Sequence, residues 1–167
     1  MKKNQKKNNK NYTLKALLDS TYLLPAFGIE VQGLTDKDLE MLREVAAQGK
    51  VQLYCLTISW IEILGKVARE AYKKGINVEK QANVAIKSLT RTRLLHWIQP
   101  PPNALLLALK LRLQGHRDMI DNTLYATASV NHMFFVTMDS TLKKFLKKQG
   151  FNTELLLTHN QLLEKAC

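Results

Sequence analysis

The chain has 167 residues, 46% of them hydrophobic, with 25 Lys and Arg against 14 Asp and Glu and a formal charge of +11. That length suits one domain with a proper core and is short for two, while the positive excess points to a polyanionic partner, nucleic acid or an anionic membrane surface. Two cysteines, Cys55 inside an apolar run and Cys167 at the end, fit neither a disulfide framework nor a zinc site, so an intracellular, cytoplasmic location is expected.

Residues 1–13 read as a basic tail. From Lys2 to Asn11 there is only Lys, Asn and Gln, with no apolar periodicity, a composition expected to stay disordered. Taking its five lysines from 25 leaves 20 basic residues against 14 acidic, so the domain expected over residues 14–167 is still basic at +6. The basic start leads into Tyr12–Ala16 and Asp19 rather than an apolar run with a cleavage site, so no signal peptide is expected.

Lys15–Leu18 reads as a strand ending at Asp19-Ser20, and Thr21–Phe27 as a helical segment broken near Pro25 and Gly28. Thr35 is placed to cap a helix over Asp36–Gln48, with acids in its first turn and Gly49 as its stop. Val51–Leu56 is a second strand. Thr57 or Ser59 then caps a helix to about Lys74, its buried face formed by Ile58, Ile61, Leu64, Val67 and Ala71, with Glu62 in the first or second turn. Val78–Leu89 is helical. Thr90–Gln99 is ambiguous, with room for a short strand around His96–Ile98 before Pro100, Pro101 and Pro102.

Asn103 caps a leucine-rich helix, Ala104–Leu113, closed by Gly115, that reads as buried, with the alternative that it exposes part of its apolar surface as a dimer contact. Lys110 and Arg112 interrupt it, and it is far below the roughly 20 residues needed to span a bilayer. Met119–Val130 is a helix, Met133–Thr137 a strand, Thr141–Lys148 a helix stopped by Gly150, and Glu154–Leu157 the last strand. Helices alternating with short strands that are apolar on both faces predict an α/β fold. Its expected form is a three-layer α/β/α sandwich around a central, mainly parallel sheet.

Five acids stand out in so basic a chain: Asp19, Glu62, Asp118, Asp121 and Asp139 lie where apolar runs stop or helices begin. Carboxylates gathered beside a core repel one another and lose hydration, so they persist there with a cation, a proton or hydrogen-bond donors. Hard divalent ions such as Mg²⁺ and Mn²⁺ take oxygen ligands. In an open parallel sheet the ligand site lies at the carboxyl ends of the strands, where Asp19, Glu62 and Asp139 all fall. Asp118 and Asp121, three apart at a helix start, can face the same way. Singly, Asp118 reads equally well as a helix cap, Asp19 and Asp139 also admit a capping role, and Glu62 admits pairing with Lys66 at i, i+4; four separate caps at the same sheet edge is the less economical account.

The segments Leu17-Leu18-Asp19-Ser20, Ser59-Trp60-Ile61-Glu62, Gly115 through Ala128 and Val136-Thr137-Met138-Asp139 resemble the successive motifs of PIN-domain ribonucleases. The resemblance spans Leu14 to about Leu157. It implies a Mg²⁺- or Mn²⁺-dependent endoribonuclease acting on RNA, frequent homodimers, and an antitoxin partner among the toxin-type members, others serving in RNA processing. Carried over, Asp19, Glu62, Asp121 and Asp139 take the metal-binding and catalytic positions, Asp118 is an additional metal-site acid, and Ser20 and Thr137 are supporting hydroxyls. Residues 73–117 depart from the family pattern, which puts the choice of substrate in doubt. Arg91, Arg93, Arg117, Lys143 and Lys144, with Lys147 and Lys148, are candidates to grip the RNA backbone.

Two rival classes are weighed against this reading. A non-catalytic RNA-binding PIN-like module would keep the acids without a productive metal. A phosphotransfer domain also puts acids at strand ends, but haloacid-dehalogenase-like proteins need a second Asp two residues after the first, where Thr21 stands, and no acceptor Lys follows a strand in the receiver manner. No glycine-rich phosphate loop occurs, and the histidines lack ligand spacing.

Overall fold

A computed structural model describes residues 13–167; the basic tail, apart from Thr13, lies outside them. Five strands, β1 (Leu14–Leu18), β2 (Val51–Leu56), β3 (Leu95–Ile98), β4 (Phe134–Val136) and β5 (Leu156–Leu157), form one sheet in the order β3-β2-β1-β4-β5. Every pairing is parallel, with Leu14 opposite Val51, Leu53 opposite Leu95, Leu18 opposite Val136 and Phe135 opposite Leu156. The chain winds outward from β1 to β3, then returns to the other side of β1 for β4. The order therefore reverses between β1 and β4, and in open parallel sheets the ligand site lies outside the carboxyl ends of the strands at such a reversal.

Side chains on successive strand residues leave the sheet on opposite faces, so two cores form. One gathers Ala16, Leu18, Leu53, Cys55 and Val136 against α1 (Asp36–Ala47), α2 (Ser59–Lys74), α3 (Glu79–Arg91) and α7 (His159–Ala166). The other gathers Leu17, Leu56, Phe135 and Leu156 against α4 (Pro102–Leu113), α5 (Met119–Val130) and α6 (Ser140–Lys148). This is the expected α/β sandwich, with an all-parallel sheet. A 3₁₀ helix, Ser20–Phe27, follows β1 and ends at Gly28, whose φ of 73° is the left-handed turn that glycine takes without a Cβ penalty.

Local chemistry sets the boundaries, and in places it differs from the sequence reading. Thr35 and Asp38 form a reciprocal capping box at the start of α1. Neither Thr57 nor Ser59 caps α2: Ile58 occupies the cap position, and the Ser59 hydroxyl is buried without a hydrogen-bond partner among the described residues. The buried stripe of α2 runs through Ile63 and Val67, while Ile61 is 70% exposed and Leu64 43%. The helical period holds and its phase differs: Ile63 and Val67 enter the core, while Glu62 and Lys66 reach Ser20 of the 3₁₀ helix.

The leucine-rich helix differs more. α4 begins at Pro102 with Pro101 as its cap, so Asn103 lies inside it. Its buried residues are Ala104, Ala108 and Leu111, and the two alanines meet Ala126 of α5. Small side chains let the two helices approach closely and turn Leu105, Leu106, Leu109 and Leu113 outward. The last helix, α7, went unread. Its signature is Thr158 and Gln161, a capping box in which each side chain bonds the other's backbone N–H. No helix among the described residues is long and apolar enough to cross a membrane.

Candidate functional site

The site is built outward from the β1–β4 pair. Asp19, one residue past β1, donates its backbone N–H to the Val136 carbonyl at 3.0 Å, which continues the ladder and fixes the chain direction as it leaves the sheet. Its carboxylate is 6% exposed. Oδ1 caps the 3₁₀ helix by accepting from the Thr21 N–H at 3.3 Å, and Oδ2 accepts the Thr137 hydroxyl at 2.8 Å. Burial pushes the Asp19 pKa up, the Thr137 and Thr21 bonds pull it back, the Glu62 charge raises it and Lys66 lowers it.

Thr137 in turn accepts the backbone N–H of Asp139 at 3.1 Å, so one hydroxyl ties two of the acids together. Asp139 caps α6, Oδ1 accepting from Thr141 at 2.7 Å and Leu142 at 3.1 Å. Asp118 caps α5 in the same way, Oδ1 accepting from Ile120 and Asp121 at 2.8 and 3.1 Å. Helix N-termini lower the cost of negative charge at all three positions. The capping roles weighed from the sequence are therefore present. They use Oδ1 of Asp118 and Asp139 and leave each Oδ2 without a hydrogen bond among the described residues.

Glu62 reaches the site from α2. Its Oε2 lies 2.6 Å from the Ser20 hydroxyl and its Oε1 forms a 2.6 Å ion pair with Lys66. Ser20 is also 3.3 Å from Asp19 Oδ1. A hydroxyl has one proton to give, and the shorter contact assigns it to Glu62. Ser20 and Thr137 thus hold Glu62 and Asp19 respectively.

Asp121, in the first turn of α5, differs from the rest. Its carboxylate has no hydrogen bond and no ion pair among the described residues. Its pKa is pushed up to about 8, first by burial and then by the charges of Asp118, Asp19, Asp139 and Glu62. Acids from four separate stretches of chain therefore act on one group. They do not form a finished coordination shell: among the described residues, no three His, Cys, Asp or Glu side chains stand close enough together to hold a metal ion. The acids set up an acidic field around Asp121. Mutually repelling carboxylates fastened to separate helix caps have no reason to close up without a cation between them. The donor set still fits a hard divalent ion in chemistry, all oxygen and strongly anionic.

The basic candidates divide by position. Arg117 is exposed beside Asp118. Lys143, in the second turn of α6, lines a small pocket with Thr137, Asp139 and Ser140, and Lys144 is exposed next to it. Arg91 ends α3 and Arg93 precedes β3, which puts both at the amino-terminal edge of the sheet, away from the acids. Lys147 and Lys148 sit in the last turn of α6, toward that same far edge. A cavity of about 320 Å³ lined by Leu18, Tyr22, Leu53, Leu89 and Leu95 opens beside the 3₁₀ helix and includes none of the five acids.

Sequence reading missed one buried polar set. The Tyr22 hydroxyl is 3.2 Å from Nδ1 of His159, whose Nε2 is 3.7 Å from Asp38 Oδ2. It joins the 3₁₀ helix, α1 and α7. No spacing could have shown it, because the residues are 16 to 137 positions apart in sequence. Lys66, expected as a helical partner of Glu62, also reaches Ser20 at 3.4 Å.

No family model and no curated protein matches the chain. Solved structures do. The chain resembles PAE2754 from Pyrobaculum aerophilum with a TM-score of 0.62 at 16% identity, over 93% of this chain and 98% of that one. It also resembles a chain of a toxin–antitoxin complex from Klebsiella pneumoniae, with a TM-score of 0.52 at 15% identity, over 86% and 97%. At these identities the likeness establishes the parallel-sheet α/β fold over nearly the full length of each neighbour.

Proposed function

We propose that the protein is a PIN-like, metal-dependent endoribonuclease whose site is the acidic crevice at the carboxyl ends of β1 and β4. The observation that carries this reading is Asp121: a half-buried carboxylate with no hydrogen bond or ion pair among the described residues, raised to about 8 by burial and four surrounding acids, by the reversal point of a parallel sheet. The order of the sequence motifs and the neighbour from a toxin–antitoxin complex support a toxin-type role with an antitoxin partner.

Asp19, Glu62, Asp121 and Asp139, with Asp118 beside them, would hold Mg²⁺ or Mn²⁺, which when bound supplies an activated water and neutralises charge on the scissile phosphate. The chain's own residues prepare that site. Thr137 fixes Asp19 and the Asp139 backbone, Ser20 fixes Glu62, and the caps on α5 and α6 hold Asp118 and Asp139 at helix N-termini. Arg117, Lys143 and Lys144 supply positive charge on the same edge for the RNA backbone.

A second reading, a non-catalytic RNA-binding module, is favoured by the absence of three closely grouped ligands among the described residues. Cleavage of single-stranded RNA with Mn²⁺ separates the two. The nuclease reading expects cleavage by the parent, none with chelator, and a loss of at least about a hundredfold in Asp121→Asn or Asp19→Asn. The binding-module reading expects RNA affinity that falls with salt and no cleavage by any of them.

A further inference from the structure

We propose that Lys66 is the resident counterion of the acidic site, and that a divalent ion enters by displacing its ammonium from Glu62. This rests on the metal-dependent reading above and adds a residue that tunes it.

The geometry sets Lys66 apart from an ordinary helical ion pair. It stands one turn after Glu62 on α2, the spacing at which such side chains meet. Exposed i, i+4 pairs of this kind contribute little and are screened by salt. Here both partners are largely covered, with side chains 32% and 21% exposed, and Nζ makes contacts on two elements: 2.6 Å to Glu62 Oε1 and 3.4 Å to the Ser20 hydroxyl on the 3₁₀ helix. Ser20 in turn is 2.6 Å from Glu62 Oε2. Both oxygens of Glu62 are thereby engaged, one by the ammonium and one by the hydroxyl. Among the described residues, Lys66 is the one Lys or Arg paired with any of the five acids, and its charge acts on Asp19 as well.

Two consequences follow from charge alone. In the absence of metal, Lys66 offsets part of the repulsion at the crevice. Once a divalent ion approaches, the ammonium is a like charge and occupies an oxygen that the ion would take. Removing the ammonium while keeping the length and apolar stem of the side chain should therefore strengthen cation binding and weaken the metal-free fold.

The test is calorimetric titration of the full chain with Mn²⁺, comparing the parent, Lys66→Met and Lys66→Arg, with melting of each in chelator. Lys66→Met is expected to bind Mn²⁺ about tenfold more tightly and to melt lower in chelator; Lys66→Arg, which keeps the charge, should stay within about twofold of the parent. Lys66→Gln replaces Lys66→Met if the latter does not fold. A parent that binds Mn²⁺ with Lys66→Met equal or weaker overturns the role of Lys66 and leaves the metal site standing. A parent and variants that all bind no Mn²⁺ overturn both.

Discussion

Thr137 donates its hydroxyl to Asp19 at 2.8 Å, although the two are 118 positions apart in sequence. Each lies one residue beyond a strand, and Leu18 and Val136 are register partners in the parallel β1–β4 pair. The bond is therefore a direct consequence of register: any slip of β4 against β1 would separate hydroxyl from carboxylate.

Thr137→Val keeps the side-chain shape and removes that donor. A buried carboxylate left with fewer partners costs roughly 1–3 kcal/mol, so a melting temperature several degrees lower is expected at pH 7 in chelator. Because the same hydroxyl accepts the Asp139 N–H, the change should also weaken the start of α6. A variant as stable as the parent would show that the bond contributes nothing net.

Stability should fall as pH rises in metal-free protein. Asp121 has a folded pKa near 8 against an ordinary carboxyl value of 3.8. The folded state thus binds the proton more tightly than the unfolded state. The resulting stabilisation is full below pH 4 and is lost as pH rises toward and through about 8. Asp19, raised by burial, acts in the same direction, whereas Asp38, held below its ordinary value by hydrogen bonds from Thr35, stabilises more as pH rises through the acid range. The Asp121 contribution is isolated by comparing the parent with Asp121→Asn in chelator from pH 5 to 9. Discounted for partial exposure, the variant is expected to gain on the order of 2 kcal/mol relative to the parent across that range. A constant difference would remove the electrostatic account of this residue.

Much of this arrangement is legible in the sequence, and what is not has a common physical origin. The strands, the sheet edge and the positions of Asp19, Glu62 and Asp139 follow from apolar runs and the acids that end them, because a buried parallel strand has little freedom to be anything else. Boundaries fixed by local caps were read well at Thr35 and poorly at Ser59, where burial rather than capping claims the hydroxyl. Hydrophobicity leaves open whether the α4 leucines are buried or exposed. What selects the buried face is the fit of Ala104 and Ala108 against Ala126, a contact that only the fold brings about. Likewise, the separation of Arg91 and Arg93 from the acids depends on which edge of the sheet each connection reaches.

Those leucines bear on assembly. Leu106 is 69% and Leu113 80% exposed, and Leu105 and Leu109 are about half exposed, an apolar surface that suits a second copy of the chain. If the chain forms the homodimer that the family resemblance implies, and does so through α4, then Leu106→Lys and Leu113→Lys together should convert a dimer to a monomer in sedimentation while leaving the melting temperature nearly unchanged. A dimer unaffected by both substitutions would place the contact elsewhere.

The central claim is that Asp19, Asp121 and Asp139, with Glu62 and Asp118 around them, share a divalent cation. Anomalous diffraction from crystals soaked in Mn²⁺ tests it most directly. The account predicts a peak in the crevice outside β1 and β4, with Asp121 and at least one of Asp19 and Asp139 at ligand distance, about 2.0–2.3 Å. Fully soaked crystals with no peak there, or with these carboxylates each turned to separate protein donors around an empty crevice, would contradict it.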